Sequence, residues 1–122
     1  MKTLLTITAI VEGFTGLALA IAPSLVISIL LGTSLTDQGA VLIARLAGAA
    51  LTAIAIACWL SRDATHSSVM VKAMLVYNTF SISLLVYAVL CIKISGQGLW
   101  PAVLFHLALL VWCVSSLWKR TR

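Results

Sequence analysis

Long apolar segments separated by short polar ones make up this chain. Four of the apolar segments are long enough to cross a bilayer as helices, since about 20 residues span a hydrocarbon core of about 30 Å. They cover approximately residues 4–22, 39–60, 69–94 and 99–118. Because the apolar residues form blocks and not amphipathic stripes, the pattern predicts an all-α integral membrane protein. We expect a bundle of four transmembrane helices that forms one domain over residues 1–122.

The segment after the first span has two interpretations. Pro23 cannot donate a backbone hydrogen bond, and proline is favourable at the first position of a helix. Residues 24–31 are apolar but too few to cross the membrane. They form either a short helix at the membrane interface or the end of one long, kinked first helix. The sequence leaves both interpretations open.

Small side chains are concentrated in the first two spans. Gly13 and Gly16 lie in the first span, and the middle of the second span carries Gly48 among many alanines. Small residues let the backbones of neighbouring transmembrane helices approach closely. We therefore expect these two helices to pack tightly against each other.

The net charge of +5 comes from basic residues near the ends of the predicted spans. Lys93 lies on one side of the membrane, and all the other basic residues outside the span centres lie on the opposite side: Lys2, Arg62, Lys72, Lys119, Arg120 and Arg122. By the positive-inside rule, both termini are expected in the cytoplasm. The orientation of the chain in the membrane thus explains the net positive charge. We therefore expect the lipid bilayer as a partner and do not expect a nucleic acid.

Each predicted span carries one polar residue near its middle. These residues are Glu12, Arg45, Asn78 and His106. A charged group at the bilayer centre costs about 2.5–3.5 kcal/mol on insertion scales, so Glu12 and Arg45 are expected to face the bundle interior. At a rise of about 1.5 Å per residue their depths in the membrane are similar enough for an ion pair.

This polar layer supports two hypotheses. In the first, all four residues and Tyr77 line a pocket for a proton, a lipid headgroup or an amphipathic ligand, and His106 changes its protonation there. In the second, Glu12 and Arg45 neutralise each other and fix the helix register, with Asn78 as a hydrogen-bonding group between helices. The sequence does not choose between a binding site and a structural clamp.

Enzyme and metal motifs are absent from the sequence. It contains no His-Glu-x-x-His, no Cys-x-x-Cys and no phosphate-binding glycine loop, so no metal site or cofactor motif is predicted. An enzymatic role stays open, because a buried acid beside a histidine and a tyrosine can transfer protons.

Short motifs across nearly the whole chain point to a family. They are Glu12-Gly13-x-x-Gly16-Leu17, Pro23, Ala44-Arg45-x-x-Gly48-Ala49, Tyr77-Asn78 and Trp100-Pro101-Ala102-Val103-x-x-His106. Together they resemble a bacterial group of small four-helix inner-membrane proteins that is loosely DoxX-like. The resemblance implies the bacterial inner membrane as the location. Some DoxX-like proteins are linked to thiosulfate and quinone redox chemistry, so by analogy a quinone or another lipid is a candidate bound group.

A second comparison concerns the small multidrug resistance transporters. They are similarly short four-helix proteins and use a membrane-embedded glutamate in the first span to exchange protons for cationic drugs, a placement that Glu12 matches. Three features depart from that family. Arg45 competes for the carboxylate, the fourth span lacks a glycine-rich dimerisation stretch, and the charge bias fixes a single orientation. These departures disfavour membership.

The leading functional hypothesis is a non-enzymatic accessory or binding module that docks to a larger membrane complex or holds a lipid-like or small ligand between its helices. One alternative is a proton-coupled transporter of small molecules, expected as a homo-oligomer, in which Glu12 titrates and Arg45 is its switchable partner. The other is a quinone-linked membrane enzyme in which Glu12, Tyr77 and His106 handle protons and Arg45 orients a headgroup. The sequence does not identify the ligand, the partner or the oligomeric state.

Overall fold

The protein is all-α, as predicted. A computed structural model describes the backbone of residues 1–121 and the side chains of residues 1–119, so Arg120 and Arg122 of the basic tail lie outside the described side chains. The described part contains five helices and no strand: α1 (Lys2–Ile21), α2 (Pro23–Leu31), α3 (Gln38–Ser61), α4 (Ser67–Leu90) and α5 (Leu99–Thr121). By length and composition α1, α3, α4 and α5 are able to cross a membrane, which confirms the four predicted spans as a class.

The first span and the segment after it are separate helices. At Ala22 the backbone leaves the helical region with φ −126° and ψ 60°, and Pro23 then begins α2. The left-handed Gly32, with φ 71°, ends α2 after nine residues. Of the two open interpretations, the short separate helix is therefore correct and the long kinked helix is wrong.

The chain between α4 and α5 holds α2 in place. Helix α4 ends at Leu90, earlier than the predicted end near Ile94, because the backbone turns away and Lys93 adopts a left-handed conformation with φ 61°. The Gly98 amide then donates a hydrogen bond of 2.9 Å to the Ile29 carbonyl of α2. Gly96 packs so closely on Leu30 that a Cβ atom there would collide with its carbonyl oxygen. The loop thus fixes the C-terminal half of α2.

Helices α1 and α3 form the tightest contact of the bundle. A Cβ atom at Gly16 would lie 2.7 Å from the Gly48 carbonyl oxygen, and one at Gly48 would lie 2.6 Å from the Gly16 carbonyl oxygen. Only glycine allows the two backbones to come so close. The expectation of tight packing between the first two spans is confirmed.

An apolar core fills the end of the bundle that holds the N-terminus. Its buried residues come from the start of α1, the end of α3, the start of α4 and the second half of α5: Leu4, Leu5, Ala9, Cys58, Val71, Met74, Leu109 and Cys113. At the same end, Lys2 forms an ion pair of 2.7 Å with Asp63 in the turn between α3 and α4. The opposite half of the bundle is packed differently, since it contains a cavity.

Candidate functional site

The cavity occupies the half of the bundle that α2 covers. Its volume is about 480 Å³, and residues of all five helices line it. The second half of α1, the first half of α5 and the second half of α4 contribute most of its wall. Most of the wall is apolar, including Val26, Ile27 and Leu30 of α2. Polar side chains also line it: Glu12, Thr15, Tyr77, Ser81 and His106. The cavity is therefore amphipathic.

Glu12 is the charged residue at this site. It lies in the middle of α1 and is only 3% exposed, so the prediction that it faces the bundle interior is confirmed. The Tyr77 hydroxyl of α4 donates a hydrogen bond of 3.3 Å to Glu12 Oε2. Glu12 Oε1 has no hydrogen-bond partner among the described residues. Among those residues, every side-chain oxygen or nitrogen that is fully enclosed by protein does have a partner. Oε1 is therefore not sealed by protein atoms, and it belongs to a residue that lines the cavity.

Asn78 and His106 form a second polar pair beside the first. Asn78 is completely buried, and its side-chain Nδ2 donates a hydrogen bond of 2.6 Å to the Met74 carbonyl. A carbonyl oxygen only accepts hydrogen bonds, so the amide orientation is fixed and Oδ1 faces His106. Oδ1 lies 2.9 Å from His106 Nδ1 and is itself an acceptor, so Nδ1 carries the hydrogen. In the neutral ring, Nε2 is left with its lone pair.

The two polar pairs touch through their aromatic rings. The Tyr77 and His106 rings meet edge to face, with centroids 5.6 Å apart and an interplanar angle of 74°. Tyr77 and Asn78 are consecutive residues of α4, so one helix turn directs one side chain to α1 and the other to α5. Four of the five predicted site residues are thus brought together.

Arg45 is the residue that the structure places elsewhere. It is exposed, and it forms no ion pair with Glu12. On α3 the buried face is marked by Ala44, Gly48 and Ala55, and each residue turns the helix by about 100°. Arg45 therefore lies about a quarter turn away from that face. The expectation that Arg45 faces the bundle interior is wrong, and the Glu12–Arg45 pair that the sequence allowed does not form. The two residues lie at similar positions along their helices, but Arg45 is rotated away from the buried face of α3.

Two parts of the cavity were not predicted from the sequence. Thr79 and Ser83 bond back to carbonyls of their own helix, whereas Ser81 lines the cavity. The signal was its position four residues after Tyr77, which places both on one helix face. The contribution of α2 had no comparable signal, since an apolar segment of nine residues does not show what it covers.

The site offers proton donors and acceptors but no metal site. A carboxyl group, a phenol, a hydroxyl and an imidazole line one space, which suits hydrogen bonding to a polar headgroup and proton transfer. Among residues 1–119, no group of three His, Cys, Asp or Glu side chains is placed to hold a metal ion.

Comparison with known proteins finds no matching family model, no matching curated protein and no matching solved structure. The DoxX-like resemblance therefore stays a prediction, and the geometry of the cavity is the basis for proposing a function.

Proposed function

We propose that this protein is a membrane-embedded binding module for a small amphipathic molecule, a lipid or a lipid-like compound, which it holds in the cavity beneath α2. The observation that supports this most directly is a space of about 480 Å³ with a mostly apolar wall and converging polar groups from Glu12, Tyr77 and His106. Pockets for small ligands typically measure about 300–1,000 Å³ and combine apolar walls with a few placed polar groups. The cavity has that size and that composition.

The surroundings of the cavity also support a ligand from the bilayer. Helix α2 contains no charged residue, and its Leu25 and Ile29 side chains are more than half exposed. The same helix lines the cavity with Val26, Ile27 and Leu30. A ligand dissolved in the hydrocarbon region therefore meets an apolar helix on the outside and polar groups on the inside.

Filling the cavity tests the proposal. Ala102 lines it, and Ala102→Trp places a large side chain in the space. Ala108 lies on the same helix, is exposed, and provides the matched control Ala108→Trp. We expect native mass spectrometry in a mild detergent to show a bound small molecule on the wild type and on Ala108→Trp but not on Ala102→Trp. Absence of any bound molecule from the wild type after extraction without detergent, in native nanodiscs, would contradict the proposal.

A proton-coupled transporter of small molecules is the second candidate, and one observation favours it. Glu12 is buried, and no cationic side chain pairs with it among the described residues. Its carboxyl group is thus free to exchange a proton with a ligand. Glu12→Gln should abolish pH-driven flux in proteoliposomes while the protein still folds. Wild-type flux in that variant would remove Glu12 from the mechanism.

The enzymatic alternative has less support. The hypothesis of a quinone-linked enzyme assigned the orientation of a headgroup to Arg45, and Arg45 is exposed away from the cavity. Glu12, Tyr77 and His106 do share the cavity wall, so the proton-handling part of that hypothesis remains a proposal. Turnover by the purified protein, with loss in Tyr77→Phe, would support it.

For the location we propose the bacterial inner membrane with both termini in the cytoplasm. Lys2 and Arg62 lie at one end of the bundle, where both approach Asp63, and an excess of basic residues favours the cytoplasmic side. Labelling of single cysteines at Lys2 and Lys93 with an impermeant thiol reagent tests this, in a background without native cysteines. Labelling of the Lys2 position in intact cells would overturn the orientation.

A further inference from the structure

We propose that the cavity selects amphiphiles whose headgroup donates hydrogen bonds, through a hydroxyl or an amine, over amphiphiles whose headgroup only accepts them. This inference rests on the proposed binding function and adds the chemical class of the ligand. It follows from which atoms of the wall already use their hydrogens inside the protein.

The first hydrogen-bond acceptor in the cavity wall is His106 Nε2. Asn78 fixes the ring by accepting the Nδ1 hydrogen across 2.9 Å, and Asn78 is itself fixed by its bond to the Met74 carbonyl. Nε2 is then an acceptor. Nε2 has no hydrogen-bond partner among the described residues. It is also not fully enclosed by protein atoms, because every enclosed side-chain nitrogen or oxygen among those residues has a partner. Because His106 lines the cavity, a ligand hydrogen is the complement of this nitrogen.

The second group is the pair of Tyr77 and Glu12. The Tyr77 hydroxyl donates its hydrogen to Glu12 Oε2, so only its lone pairs are available to a ligand in the cavity. An ionised Glu12 offers only lone pairs as well, and a protonated Glu12 carries a single hydrogen on Oε1. Thr15 and Ser81 also line the cavity, and each of their hydroxyl groups brings one hydrogen and two lone pairs. In either state of Glu12, acceptors therefore outnumber donors in the polar part of the wall.

The surplus of acceptors determines what binds well. An oxygen or nitrogen acceptor brought against another acceptor loses its water without gaining a bond, and an unsatisfied buried polar group is costly. A hydroxyl donates to Nε2 and still accepts from a protonated Glu12. An amine donates more than one hydrogen, and as an ammonium group it also neutralises an ionised Glu12. An ether, an ester or an oxidised quinone ring offers acceptors alone.

Matched aromatic amphiphiles test the inference. The probes are para-octylphenol, para-octylaniline and para-octylanisole, which share one ring and one tail and differ in the headgroup. Affinities are measured by titration under native mass spectrometry and corrected for partition of each probe into protein-free micelles. We expect the phenol or the aniline to bind about ten-fold more tightly than the anisole, the effect of one hydrogen bond. A tighter phenol identifies a hydroxyl ligand, and a tighter aniline an amine.

Asn78→Leu separates the proposed cause from general packing. Asn78 is a positioning residue here, because it acts on the ligand only by fixing His106. Without it the imidazole is free to move its hydrogen to Nε2 and become a donor, so the preference for phenol over anisole should fall towards one while binding persists. An anisole that binds the wild type as tightly as the phenol overturns the inference and leaves the proposed function standing. Binding of none of the three probes contradicts the proposed function, and the inference with it.

Discussion

The Tyr77 hydroxyl reaches from α4 to Glu12 of α1 and donates a hydrogen bond of 3.3 Å to Oε2. This bond joins the two closest helix pairs of the bundle, α1 with α3 and α4 with α5, at the boundary between the apolar core and the cavity. Glu12 thus both lines the cavity and connects the two helix pairs.

Loss of that bond should weaken the bundle modestly. We expect Tyr77→Phe to lower the free energy of unfolding by about 0.5–1.5 kcal/mol, because Glu12 Oε2 loses its donor while the ring still packs. Tyr87→Phe is the matched control, since Tyr87 lies on the same helix and is 55% exposed. Unfolding in mixed micelles with increasing sodium dodecyl sulfate measures both. Equal stability of the two variants would show that the bond carries no net free energy.

The contact between α1 and α3 makes a sharper prediction. Gly16→Ala should lower the free energy of unfolding by about 1–3 kcal/mol, because its Cβ atom would lie 2.7 Å from backbone oxygen and nitrogen atoms of α3, forcing the helices apart. Gly13→Ala, one turn earlier, places a Cβ atom 3.5 Å from that of Ala55, an ordinary contact, and should cost little. The same unfolding measurement compares them. A harmless Gly16→Ala would mean that the two helices are further apart.

A double-mutant cycle tests the absence of the Glu12–Arg45 pair. The variants are Glu12→Gln, Arg45→Met and the double mutant, and thermal unfolding in detergent gives the three changes in stability. Because Arg45 is exposed and Glu12 is buried, the changes should add to within about 0.5 kcal/mol. A double mutant that is clearly more stable than the sum of the two single changes predicts would support the hypothesis that Glu12 and Arg45 form a structural clamp.

The tautomer of His106 is directly observable. The sequence contains two histidines, His66 and His106, so nitrogen-15 labelling of histidine gives few signals. At a pH where the ring is neutral, we expect the His106 Nδ1 resonance to show a bonded hydrogen and the Nε2 resonance to show a lone pair. The exposed His66 serves as the internal reference. In Asn78→Leu the His106 signals should move towards the opposite tautomer, and an unchanged spectrum would show that Asn78 does not fix the ring.

We expect stability to depend on pH through Asp63, which lies in the turn between α3 and α4. Hydrogen bonds from Lys2 and Arg62 lower the pKa of its carboxyl group below the ordinary range for aspartate. The folded state therefore holds the ionised form more strongly than the unfolded state does. Its contribution is present at neutral pH and is lost as the pH falls through the lowered pKa. We expect Asp63→Asn to flatten this acid limb.

The unfolding midpoint of the wild type and of Asp63→Asn, measured from neutral to acidic pH, checks this prediction. The effect should be small and should shrink in high salt, because the carboxyl group is exposed to solvent. Identical acid limbs in the two proteins at low salt would show that the ion pair with Lys2 does not persist in solution.

The amino-acid sequence was sufficient to predict the helices and the position of each polar residue along its helix. Apolar blocks of sufficient length have one solution in a bilayer, since every backbone group must be satisfied within a helix. The helical rise then places Glu12, Asn78 and His106 near mid-span in any such bundle. The small residues around Gly16 and Gly48 likewise indicated the tight contact, because small side chains allow the backbones of neighbouring helices to approach closely.

The rotation of each helix about its axis became visible only in the packed bundle. A transmembrane helix is apolar all round, so its sequence has no polar face to show which side is buried. For this reason Arg45 was expected to face the bundle interior and lies instead on the exposed side of α3. The cavity could not be predicted for the same reason, since residues of five helices line it and the Gly96 loop packs against Leu30 in one of its walls.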